Sequence, residues 1–294
     1  MTDMSWPVYL VSYYFFAVGH SVFSRWFAVR TKLSARLVSA VSYTLGVLPV
    51  GLVIGLLADK RVFVWNVATF SLLFVIGLFI SVFGIAAYDS KKLITVTNYL
   101  TLSQLYVLVA TLLGWALLGE KLTPKQVIGG IIMLVGCYLA IHSAKRKAGK
   151  DKHSLRGSVL AAISGIALGI VLVAEKAALG KFNAAAYFIV GYGVQALGTT
   201  VAALPEFRRK TVHQLNRFEL TGAALTGFFA AMGGFTYISV LNKLNNIGFA
   251  ILLTTFQMPL SIIVSHFWLK EKDNGWLLVL AATLSFIGLL VVAL

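Results

Sequence analysis

The stretch Leu112-Leu-Gly-Trp-Ala-Leu-Leu-Gly-Glu-Lys-Leu-Thr-Pro124 closes one long apolar run and opens the next, and a trace of it returns as Phe267-Trp-Leu-Lys-Glu-Lys272. A shift of 151 residues lays Glu120-Lys121 on Glu271-Lys272, Leu118 on Leu269 and Lys92-Leu93 on Lys243-Leu244, all in one register. In both places the Glu-Lys pair precedes helix-starting residues. Thr123 offers an N-cap oxygen with Pro124 at the first helical position, and Asp273-Asn274 offers caps for the last run. The spacing predicts a chain built twice on one plan.

Outward from these two anchors lie ten apolar runs. They cover Trp6 to Phe23, Leu37 to Ala58, Val67 to Ala87, Ile94 to Leu118 and Val127 to Ile141, then Val159 to Ala174, Ala184 to Leu204, Leu220 to Leu241, Ile247 to Leu269 and Trp276 to Leu294. About 20 residues rising 1.5 Å each cross roughly 30 Å of hydrocarbon, so each run has the length of a transmembrane helix. The runs are continuously apolar, which disfavours a β-barrel, where apolar and polar residues alternate. A composition of 59% hydrophobic and 12% charged residues, with mean hydropathy +0.87, excludes a water-soluble globule, whose charged fraction is about 25%. The predicted fold is an all-α integral membrane protein of ten transmembrane helices, arranged as five-helix repeats over residues 1–143 and 152–294 with a basic linker at 144–151. Five is odd, so the second copy must insert upside down relative to the first, as in secondary transporters that bind at the repeat interface.

The net charge of +15 points to topology and not to nucleic acid, because the basic residues are confined to turns. Alternate turns, beginning with the one between the first two runs, hold 18 of the 25 Lys and Arg residues. Those turns are expected in the cytoplasm, with both termini non-cytoplasmic, in a multi-pass protein of the cell inner (plasma) membrane. The N-terminus Met1-Thr-Asp-Met-Ser5 lacks the basic start of a secretory signal, so the first run is read as a retained helix. A single cysteine, Cys137, supports neither a disulfide framework nor a metal site. No cofactor or metal is expected, and the chain is expected to act as a monomer or homodimer.

Polar side chains inside the runs carry the functional signal, since hydrocarbon offers them no partner. The fourth run holds Asn98, Tyr99, Thr101, Ser103 and Gln104; the ninth holds Thr254, Thr255 and Gln257 ahead of Pro259. The 151-residue register sets Ser103-Gln104 on Thr254-Thr255, so two related helices present polar groups at matching depth. The candidate substrate-binding set is Tyr13, His20, Asn98, Thr101, Gln104, Tyr237, Thr254, Thr255 and Gln257, with interhelical hydrogen bonding the competing role for each. All ten acidic residues fall at or beyond a run's end, which argues against carboxylate-centred proton exchange unless Glu175 points inward. Glu175 and His20 are the possible residues for coupling, and since no carboxylate sits near the midplane, facilitated diffusion or substrate exchange is expected. Gly51-xxx-Gly55 and Gly165-xxx-Gly169 read as close-packing faces, and Gly233-Gly234 as packing or a hinge.

On the stretch Leu112 to Pro124, the following Gly129-Gly-Ile-Ile-Met-Leu-Val-Gly136 and the echo at Phe267 to Lys272 with Gly288 beyond, the chain resembles the ten-helix EamA-type members of the drug/metabolite transporter superfamily. It departs from them in lacking a fourth-run proline near Leu108 and in reading Leu-Lys-Glu-Lys, without the glycine, in the second copy. The resemblance implies alternating access of a small organic metabolite, an amino acid or similar compound exported from the cell, through a cavity lined by helices one, three, four, six, eight and nine. It also implies the opposite orientation to the one the charges give. A sugar-nucleotide or phosphorylated-metabolite exchanger of the same fold is a rival reading, kept alive by Arg25 and Lys176 at repeat-related positions. A membrane-embedded enzyme would need a nucleophile with a base, a carboxylate cluster or metal ligands at membrane depth, and the runs offer no such constellation.

Overall fold

Helices start where a short polar side chain can accept from the first free backbone amides. Ser34 Oγ accepts from Leu37 N at 3.3 Å, Asn66 Oδ1 from Thr69 N at 2.9 Å, and Thr95 Oγ1 from Asn98 N at 3.4 Å. The computed structural model describes residues 5–58, 62–148, 152–179, 181–208, 215–243, 253–254, 256–271 and 276–293. In chain order its helices are α1 (Trp6–Arg30), α2 (Ala35–Val41), a π-helical segment (Ser42–Val47), α3 (Leu48–Leu57), α4 (Val67–Leu93), α5 (Val96–Ser103), α6 (Leu105–Leu118) and α7 (Pro124–Ala148). They continue with α8 (Lys152–Leu179), α9 (Ala184–Arg208), α10 (Arg217–Lys243), α11 (Gln257–Trp268) and α12 (Trp276–Ala293).

Among the described residues seven helical stretches are long and apolar enough to cross a membrane: Ala35–Leu57, Val67–Leu93, Val96–Leu118, Pro124–His142, His153–Leu179, Ala184–Phe207 and Arg217–Val240. Large apolar side chains stand exposed along their outer faces, among them Leu57, Val67, Phe74 and Leu117, as befits surfaces solvated by lipid. Several helices outrun the apolar segments that announce them: α1 continues to Arg30, α4 to Leu93, and α8 occupies Lys152–Leu179. Basic residues in a last turn face the negative end of the helix dipole, so Lys91 and Lys92 extend α4 where hydropathy alone would end it. Residues 144–148, at the start of the expected linker, continue α7.

Small residues set the packing. α1 lies against α10, α4 against α8, α3 against α9, and α7 against α12. A Cβ at Gly165 would stand 2.5 Å from the Ser103 carbonyl oxygen, and one at Gly169 2.7 Å from that of Tyr106. A Cβ at Gly55 would stand 2.8 Å from the Ala185 carbonyl oxygen on α9, and one at Gly129 or Gly288 would stand 2.5 or 2.6 Å from the other's carbonyl oxygen. Both glycine pairs singled out in the sequence are therefore close-packing faces. Gly233 has room, with Ala17 no nearer than 3.9 Å.

Two local features follow the 151-residue register. Gly119 (φ 70°) and Lys270 (φ 54°) are the residues with left-handed backbone among those described, and they are equivalent positions at the ends of α6 and α11. Position 270 thus takes the same left-handed turn with a lysine where position 119 has the glycine that suits it. Helical continuity also breaks at adjacent equivalent points, Gln104 between α5 and α6 and Phe256 just before α11. Pro259 removes an amide donor in the second case. In the first, Ser103 Oγ donates back to the Leu100 carbonyl at 3.2 Å, and the Ser103 carbonyl faces Gly165.

Candidate functional site

The buried face of α4 runs Leu73, Ile76, Gly77, Ile80, Ser81, Gly84, Ala87, Tyr88 and ends in Lys91. That helical spacing carries a cation inward: Lys91 is 4% exposed, donates from Nζ to Ser24 Oγ at 2.7 Å, and lies 4.7 Å from the centre of the Tyr99 ring. Among the described residues no carboxylate lies within ion-pair distance of it. Its surroundings are neutral and electron-rich, with Tyr88 also in reach at 6.0 Å and held by a 3.0 Å hydroxyl contact to Ser42 in the π-helical segment. Sequence reasoning counted Lys91 among the turn charges. The period of small and apolar residues preceding it on α4 was the signal that it turns inward.

Beside Lys91 the end of the bundle is closed by polar contacts between the halves. Arg25 Nε donates to Glu271 Oε1 at 2.9 Å, and its Nη1 donates to the Lys91 carbonyl. Glu271 Oε2 accepts from the Val96 amide at 2.9 Å, which caps α5. Ser90 Oγ reaches the Gly157 carbonyl at 2.8 Å, and Glu219 accepts from Thr31 Oγ1 and, at 3.0 Å, from the Lys32 amide.

The expected binding residues distribute over three places. Tyr13 and Tyr237 do come together, ring centres 5.8 Å apart, with Tyr14 beside them donating to the Leu253 carbonyl at 2.5 Å. Tyr106 of α6 lies within electrostatic range of both Tyr13 and Tyr237, so α1, α6 and α10 share one phenolic cluster. His20 is packed between α1 and α10, its Nδ1 3.2 Å from the Thr226 carbonyl. The third place is the contact of α5 with its neighbours: Asn98 Nδ2 donates to Ser158 Oγ on α8 at 3.3 Å, and Gln104 Nε2 reaches Met258 Sδ on α11 at 3.7 Å. The carbonyl oxygens of both amides are buried without a hydrogen-bond partner. Thr101 turns to its own helix, donating to the Thr97 carbonyl at 2.8 Å, and its carbonyl faces Cys137 of α7. Thr254 is buried and Gln257 half-buried at the start of α11, while Thr255 lies outside the described residues.

Glu175 points inward. Its Oε1 accepts from Tyr187 Oη at 2.5 Å and from Gln195 Nε2 at 2.8 Å, and Gln195 is the twelfth residue of the 25-residue α9. The carboxylate belongs to the aromatic core built on Tyr43, Phe182, Tyr187, Phe188 and Tyr192. Its neighbour Lys176 faces outward and pairs with Glu120. Arg25 and Lys176, the cations a phosphorylated substrate would need, are therefore both engaged by carboxylates.

Residues 4–141 match the model of the EamA-like transporter family. A solved structure described as "Crystal structure of protein" aligns over 99% of this chain and 98% of its own with a TM-score of 0.63, at 18% sequence identity. At that identity the likeness speaks for the fold alone, and it extends the fold through the second half of the chain. No curated protein matches the sequence. The family match spans residues 4–141, the shared fold spans the whole chain, and the family matched is one of membrane transporters.

Proposed function

We propose that the protein carries a small carboxylate-bearing metabolite, an amino acid or similar compound, across the cell inner membrane by alternating access between two inverted five-helix repeats, and that it works as an exporter. The observation that carries the substrate class is Lys91, a cation at the inner end of α4 held by a hydroxyl and two aromatic rings with no acidic partner among the described residues. Withdrawing a charge into a membrane protein is costly, and such charges mark substrate paths. A carboxylate supplies the missing counter-charge, and the phenols of Tyr13, Tyr106 and Tyr237 supply apolar area and hydrogen bonds for the rest of the solute. The engagement of Arg25 and Lys176 by Glu271 and Glu120 weighs against a phosphate-bearing cargo. The family match weighs against an enzyme.

Counterflow in proteoliposomes tests this reading. Vesicles loaded with a mixture of amino acids should take up labelled amino acid, and vesicles loaded with the corresponding amines, which lack the carboxylate, should not. Equal exchange with both sets of solutes would remove Lys91 from recognition, and exchange with neither would remove the substrate class.

A further inference from the structure

Four charged residues stand in pairs 151 apart: Arg25 with Lys176, and Glu120 with Glu271. The fold joins them crosswise. Arg25 of the first half binds Glu271 of the second at 2.9 Å, and Lys176 of the second half binds Glu120 of the first. The two ion pairs are thus mates under the same register that relates Gly119 to Lys270. They lie at opposite ends of the bundle, one near the close of α1 and α4, the other near the close of α6 and α8.

Their environments differ. The side chains of Arg25 and Glu271 are 16% and 8% exposed, those of Lys176 and Glu120 65% and 40%. An exposed pair stabilises little, whereas breaking a buried one strands a charge away from solvent. The buried pair is also tied to the main chain, through the Lys91 carbonyl on one side and the Val96 amide on the other.

We infer that the two pairs are the gates of the carrier, and that they exchange environments between its two end states. In the conformation described the Arg25–Glu271 gate is shut, and the Lys176–Glu120 end is the one that opens. In the alternate state Lys176 and Glu120 become buried and Arg25 and Glu271 separate into solvent. The gate assignment rests on the alternating-access reading but not on the substrate class.

The test is sided labelling of one cysteine. In a Cys137→Ala background, Ser21→Cys lies one helical turn inside Arg25 on the same face of α1. A membrane-impermeant maleimide is applied separately to each face of oriented membrane vesicles. Glu271→Gln, which keeps an oxygen for the Val96 amide, should speed labelling from the Arg25 end at least fivefold. Arg25→Gln, which leaves Glu271 in place as the cap, should do the same, and the double variant should add nothing further because the two residues act as one contact. Glu120→Gln should slow labelling from the Arg25 end, since it weakens the gate that must close before that end opens. Parental labelling in both Glu271→Gln and Arg25→Gln, additive effects in the double variant, or acceleration by Glu120→Gln would each overturn the assignment. Labelling needs no substrate, so the gates stand or fall apart from the counterflow result.

Discussion

Ser24 Oγ of α1 accepts from Lys91 Nζ of α4 at 2.7 Å, a bond that uses one of the ammonium's three donors. The face of Tyr99 takes a second direction. What the site lacks, among the described residues, is an anion.

Lys91→Met is expected to lower counterflow about tenfold or more, the equivalent of losing a charge-assisted hydrogen bond of about 1.5–3 kcal/mol. Thermal stability should hold or rise, because a buried cation is removed. Tyr99→Phe should stay near the parent and Tyr99→Leu should lose several-fold, since the ring face and not the hydroxyl meets the ammonium. Flux and melting temperature measured on the same preparations decide it; a Lys91→Met carrier with parental flux sinks the substrate reading.

Glu175 points into the bundle, where a proton-coupled cycle would need an acid. Exchange without a proton was expected because every acid falls at or beyond the end of an apolar run, yet the carboxylate of Glu175 reaches Gln195 near the middle of α9. Glu175→Gln should leave counterflow at equal pH within about twofold, as an amide replaces the carboxylate in its bonds to Tyr187 and Gln195. Accumulation driven by an imposed pH gradient should disappear. If accumulation survives, Glu175 is a structural acceptor for Tyr187 and Gln195 and nothing more.

Gln104→Leu is expected to reduce transport several-fold while raising the melting temperature. The Gln104 amide oxygen is buried without a partner, and removing such a group recovers about 1–3 kcal/mol. Unchanged flux with a raised melting temperature would confine Gln104 to the packing of α5 against Met258.

Lys270→Gly should stabilise the protein by about 1 kcal/mol, because Lys270 holds a left-handed conformation that costs a side-chain-bearing residue roughly 1–2 kcal/mol. Gly119→Ala, at the equivalent turn, should destabilise by a similar amount. Thermal denaturation of both variants checks the sign at each site.

A reporter enzyme active only outside the cytoplasm, fused after Leu294, should be active. The prediction follows from the crowding of basic residues at the Arg25 end, where the turn holding Arg30, Lys32 and Arg36 and the end of α4 lie. Activity of a cytoplasmic reporter at the same position would reverse the orientation and with it the direction in which the described state opens.

The helices and their small-residue faces were legible because each is a local pattern: a run length or a four-residue spacing. Pairing across the halves was not. The sequence set Arg25 on Lys176 and Glu120 on Glu271, but whether each base meets the acid of its own half or of the other depends on how the halves dock. Lys91 was misread for a related reason, since a lysine two residues from a helix end satisfies the charge rule whether it faces water or protein. Thr101 shows the reverse limit. Its side chain turns back to the Thr97 carbonyl and its own carbonyl meets Cys137 of α7, a contact that lies outside any local window.

The bend at Gln104 has a further consequence. It forms without a proline, so every amide needed for a continuous helix from Val96 to Leu118 is present, and that rod can straighten by trading a few hydrogen bonds. Its counterpart at Phe256 is followed by Pro259 in the first turn of α11, which withholds the amide that a continuous helix would need. The two halves are therefore a spring and a strut, and a cycle that asks them to swap roles does not run between states of equal energy.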